Sequence, residues 1–130
     1  MSEPTTPSAA GHPAPEEPTP IRVPAGLQGL LEHDPTVIEL LRDQRIALEA
    51  RSGLDERTIE LVRLGTMVGI AAPPDAIASH VTRLLDLGAD VATIYGAVIA
   101  VIPLVGVPRL VGAGSAIAEA IAAHGQATTS

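Results

Sequence analysis

In 130 residues this chain carries a single aromatic side chain, Tyr95, with neither Phe nor Trp, although 46% of it is hydrophobic. Any core must therefore be assembled from Ala, Val, Ile and Leu. A buried Ala contributes about one methyl, about 0.8 kcal/mol, against about 1.5–3 kcal/mol for a large apolar side chain. Such a core is thin for a lone monomer of this size, while its small side chains let helices approach closely. The aromatic deficit thus predicts closely packed helices that complete their burial against further copies of the chain.

The charge balance and two absent residue types narrow function by exclusion. Eight basic residues face fifteen acidic ones, a formal net charge of −7. A nucleic-acid partner would need clustered positive charge to replace released counterions, so none is expected. All eight cations are Arg, and without Lys neither Schiff-base nor P-loop chemistry is open to the chain. Cysteine is absent too, which removes disulfides, thiolate nucleophiles, Fe–S clusters and CxxC redox centres.

Residues 1–24 hold seven of the twelve prolines and few large apolar side chains, a composition that does not offset ordering entropy. They read as a disordered tail containing His12. With Glu3, Glu16 and Glu17 and no apolar stretch, the tail is neither a secretory signal nor a transit peptide, and a cytoplasmic location is expected. From Ala25 the pattern is helical. Asp34-Pro35 reads as an N-cap and N1 proline, with His33 in the turn before it, and Gly53 ends the helix that follows. A second helix runs from Asp55 to about Ala71 and is broken by Pro73-Pro74. A third covers Pro74 to Leu87, with Gly88 as its C′ residue and Asp90 capping the next element. Residues 91–108 are uncharged and apolar all round, open to reading as a membrane span, a strand pair or a buried helix. A span needs about 20 apolar residues, and Gly96, Pro103 and Gly106 interrupt this run, so the helix is preferred, with a partner subunit covering it. A last helix runs from Arg109 to about Ala123, and residues 125–130 read as a flexible C-terminal tail. The expected fold is all-α, a domain of about five helices over residues 25–124.

RSGLDERTIELVRLG, then His80 twenty residues after Glu60, then LLDLGAD and an apolar helix ending in GVP, resembles the carboxymuconolactone decarboxylase/AhpD-like family. The resemblance spans Arg51 to Ala123 and implies a small helical subunit that forms homotrimers or homohexamers through apolar helices. In the alkylhydroperoxidase-like branch a CxxC precedes the histidine, at positions that fall here on Pro73 and Ala76, so thiol peroxidase chemistry is excluded. The decarboxylase branch lacks that CxxC and reads LDxxTRSL before its helix. Here the motif is LDERTIEL, with Ile59 and Glu60 in place of Arg and Ser, and Val91-Ala92-Thr93 replaces the glutamates usual after the Gly88 position.

His80 shares an apolar stripe with Ile77 and Leu84, at i−3 and i+4, and reads as a general base or as a satisfied core histidine. The resemblance puts Glu60 beside it as an orienting carboxylate; the competing reading is a surface Glu paired with Arg57 or Arg63. Arg63 and Arg83 offer bidentate forks for a substrate carboxylate, or belong to a solvated helix face. Tyr95 is a proton donor or, more simply, fills space. The four histidines lack HxxxH or HxH spacing and predict no metal site. Ser79 cannot complete a triad with His80, because adjacent helix positions point about 100° apart. The resulting expectation is a cofactor-independent lyase or isomerase acting on a small organic acid. Its competitor is a catalytically silent homo-oligomeric scaffold or ligand-binding module.

Overall fold

The computed structural model describes residues 25–129 together with positions 2 and 4. The expected tail over residues 1–24, His12 included, lies outside the described residues apart from those two positions. The described residues form six helices and no strand: α1 (Ala25–His33), α2 (Thr36–Ser52), α3 (Glu56–Gly69), α4 (Pro74–Asp86), α5 (Val91–Val105) and α6 (Val107–Thr129). The helical pattern read from Ala25 onward is divided at Asp34-Pro35, so that α1 stands as an element of its own and the count rises from about five to six. His33 is the last residue of α1 rather than part of a turn.

Short-range chemistry sets most boundaries. Asp55 and Asp90 cap α3 and α5 by accepting from the backbone N–H of Thr58 and Thr93, each at 2.7 Å. Asp34 departs from its expected capping role, since its carboxylate accepts from the Thr36 hydroxyl at 2.6 Å while Pro35 enters the helical region. Gly88, at φ +81°, closes α4 in a Schellman arrangement, with Gly88 N–H on Leu85 O and Ala89 N–H on Leu84 O. The same pair of bonds ends α3, from Ala71 N–H to Val68 O and Ala72 N–H to Met67 O, but there an alanine holds the left-handed position at φ +53°.

The core lies among α3, α4, α5 and α6. Leu64 and Val68 of α3 meet Ile77, Val81 and Leu84 of α4, and α6 adds Ala113, Ala116, Ile117 and Ala120 at i, i+3, i+4 and i+7. Alanine at three of those four positions lets α6 lie close on α4. His124 Nε2 and Asp86 Oδ1, 2.9 Å apart, join the same two helices nearer their C-terminal ends. Gly65 and Gly69 do the equivalent for α3 and α5: a Cβ on either would stand 3.0 or 3.1 Å from Val101 or Val105. The α1–α2 hairpin stands apart, and α2 buries no residue.

Residues 91–105 form the helix preferred from the sequence. Within the chain only one side of α5, through Ile94 and Val98, is buried, while Val91, Tyr95 and Ile99 are exposed, because the described chain has too few elements to surround it. One expectation needs correcting. Residues 125–129 continue α6 instead of leaving it as a tail: no proline interrupts the run, and the Thr128 hydroxyl donates back to His124 O and Gly125 O. No helix among the described residues is long and apolar enough to cross a membrane.

Candidate functional site

The heptad-like stripe of α3 that buries Leu64 and Val68 also carries Glu60 inward, one turn before Leu64. Glu60 is 1% exposed and is the one charged side chain buried among the described residues. A buried carboxylate needs compensation, because desolvation disfavours its charge. Three donors supply it. Its Oε2 lies 2.7 Å from His80 Nδ1 on α4, and its Oε1 accepts from Arg63 Nη1 at 3.0 Å and sits 3.4 Å from Arg83 Nε.

These contacts decide its protonation. Burial pushes the Glu60 carboxyl up, but the His80 hydrogen bond, the Arg83 charge and the Arg63 hydrogen bond outweigh it and hold the group below the ordinary carboxylate value. Glu60 is therefore an acceptor near neutrality. His80 must then donate through Nδ1–H, and in the neutral ring that tautomer carries its lone pair on Nε2. The imidazole retains access to solvent, at 18% exposure.

All four residues singled out from the sequence thus meet at one carboxylate, brought together by the α3–α4 pairing. Of the two partners considered for a surface Glu60, Arg63 does bind it, though the carboxylate is buried. Arg57 turns away and donates to Leu87 O at 3.1 Å. Arg63 also reaches Glu49 on α2 at 2.7 Å, and Arg45 lies 3.8 Å from the same oxygen. That extension ties the α1–α2 hairpin to the cluster, and it left no signal in the sequence, since Glu49 and Arg63 belong to separate helices with no motif linking them. Arg63 and Arg83 remain about a quarter exposed, so their outer donors reach solvent. No group of three or more His, Asp or Glu that could hold a metal ion occurs among the described residues. Tyr95 lies on the uncovered side of α5 and takes no part in the cluster.

A separate cavity of about 370 Å³ opens where the end of α3, the start of α4 and the start of α6 converge. None of the four cluster residues lines it. No protein-family model matches the chain, and searches of curated proteins and of solved structures likewise return no match.

Proposed function

We propose that this chain is a cofactor-independent acid/base catalyst of the carboxymuconolactone decarboxylase-like kind, a cytoplasmic lyase or isomerase acting on a small carboxylated or lactone-like substrate. His80 is the proton-transfer group and Glu60 its positioning residue. The observation that carries this reading is the 2.7 Å contact between His80 Nδ1 and an ionised, buried carboxylate. It orients the ring and selects the tautomer whose Nε2 carries the lone pair that takes the proton.

In the lyase direction the bond from carbon to carboxylate breaks and CO2 departs. The electron pair passes into a carbonyl conjugated within the substrate, and the imidazolium Nε2–H then delivers a proton to carbon. In the isomerase direction the same nitrogen removes a proton from one carbon and returns it to another. Neither step needs an external oxidant or reductant. Arg45, Arg63 and Arg83 outnumber Glu49 and Glu60 in the cluster, and this excess of positive charge favours an anionic substrate.

The test is turnover of a carboxylated γ-lactone, followed as CO2 release and as double-bond migration by NMR. His80→Gln is expected to slow it by roughly 10²–10⁴-fold, the usual contribution of a positioned acid/base group. Glu60→Gln should lower kcat with KM little changed. Turnover unaffected by His80→Gln overturns the mechanism.

A second reading, a silent homo-oligomeric scaffold built as a trimer or hexamer, draws on the uncovered apolar side of α5. Under it, His80→Gln leaves both assembly and every measured property except local packing unchanged.

A further inference from the structure

The cavity between α3, α4 and α6 has one charged group in an otherwise apolar wall. Val68, Ile77, Pro74 and Pro108 supply hydrophobic surface, and Arg109 supplies the charge. No Asp or Glu lines it, in a chain whose net charge is −7. The side chain of Arg109, an exposed residue, makes no hydrogen bond or ion pair to another described residue, so its guanidinium fork is uncommitted. At about 370 Å³ the cavity lies at the lower end of the roughly 300–1,000 Å³ typical of small-molecule sites.

The thin wall of this cavity carries a cost to local stability. Gly112 lines it from within α6, where glycine is disfavoured by about 0.5–1 kcal/mol relative to alanine. Packing does not require that glycine, since a Cβ added there meets nothing within 4 Å. Ala71, also in the wall, holds a left-handed conformation that a side chain disfavours. Ala72 and Ala113 keep the remaining wall thin. Larger residues at Gly112 would fill the space, and fold stability alone supplies no reason for leaving it open.

We infer that this cavity binds a small carboxylate with a short aliphatic body, its anion paired with Arg109 and its hydrocarbon against Val68, Ile77 and Pro108. A monoanion neutralises the lone guanidinium, whereas a cation is repelled and a neutral isostere leaves the fork without its charge-matched acceptor. The site is independent of the proposed His80 chemistry, and either can fail without the other.

The experiment titrates the 130-residue chain with 4-methylpentanoate and with 4-methylpentanamide, following backbone amide shifts by ¹H–¹⁵N NMR. Gly112 and Ala113 serve as reporters on the cavity. The carboxylate is expected to shift them saturably, with the amide at least tenfold weaker. Arg109→Gln should weaken carboxylate binding at least tenfold, Gly112→Leu should abolish it, and His80→Gln should leave it unchanged. Equal affinity for acid and amide, shifts centred on His80 and Arg83 instead of Gly112, or no saturable shift at millimolar carboxylate each overturn the inference. Should Gly112→Leu fail to fold, the acid/amide ratio and Arg109→Gln still decide it.

Discussion

Glu60 is where folding and chemistry meet, because the group that would orient His80 is also a buried charge that the fold must stabilise. Its carboxyl titrates below its ordinary value near 4.5 in the folded chain, so the unfolded state binds more protons in that range. The stabilisation is fully present above the ordinary value and is lost as pH falls through the folded one. Glu60→Gln should therefore give a shallower acid limb in a plot of unfolding free energy against pH. Some slope remains, because the capping carboxylates of Asp55 and Asp90 are lowered as well. At neutral pH the same variant should lose less than the roughly 3–5 kcal/mol typical of breaking a fully buried pair, since Arg63 and Arg83 can rehydrate. Urea titrations between pH 3 and 7 measure both effects; parallel acid limbs for the two proteins would contradict the charge assignment. His80 was legible at this scale from its helical stripe, whereas Glu60 was placed beside it only by the family resemblance, its neighbouring arginines arguing for a surface pair. Glu49 was not legible, because its partner is set by how α2 lies on α3, which no local pattern encodes.

At the scale of helices, this chain uses glycine for opposite purposes. Gly65 and Gly69, four apart on α3, let α5 come close enough that a Cβ at Gly65 would stand 3.0 Å from Val101. Gly112 sits in α6, where a Cβ would meet nothing within 4 Å. Substitutions should therefore differ in sign. Gly65→Val should destabilise by about 1–3 kcal/mol through overpacking against α5. Gly112→Ala should stabilise by about 0.5–1 kcal/mol through lost backbone freedom in the unfolded chain. Chemical denaturation of the two variants tests the contrast, and destabilisation by Gly112→Ala would show a packing role that the open space beside it argues against. Helix ends were largely readable, because Asp55, Asp90 and Gly88 act through bonds within a few residues of themselves. The cavity was not. It depends on a Schellman turn at Ala71, where a glycine would have announced the left-handed residue and an alanine conceals it.

For the whole molecule, the thin core foreseen from the missing aromatics has a visible consequence on α5. Ile94 and Val98 face the core, and Val101 and Val105 meet the glycines of α3. Val91, Tyr95 and Ile99, at i, i+4 and i+8, form a second apolar stripe that no other part of the described chain covers. Leu104, on another side of α5, is 86% exposed, and Leu40 and Leu41 of the outlying α2 are exposed too. Exposed apolar stripes of this kind mark surfaces that a partner covers. A second copy is the occupant that the proposed self-association requires, with the α5 stripe at the contact. Each large side chain fully buried there would contribute about 1.5–3 kcal/mol, enough for several together to offset the cost of association. Ile99→Glu places a charge in the middle of the stripe without touching Ile94, Val98, the Glu60 cluster or the cavity. Sedimentation velocity of the wild-type chain should give a defined oligomer, and the variant should shift to the monomer with its helical circular dichroism intact. A wild-type chain that sediments as a monomer at tens of micromolar would instead mean that about 13 kDa of mostly aliphatic chain tolerates this exposed surface alone. In that case the stripe would have to be accommodated within the chain itself, and the thin core would no longer argue for a partner.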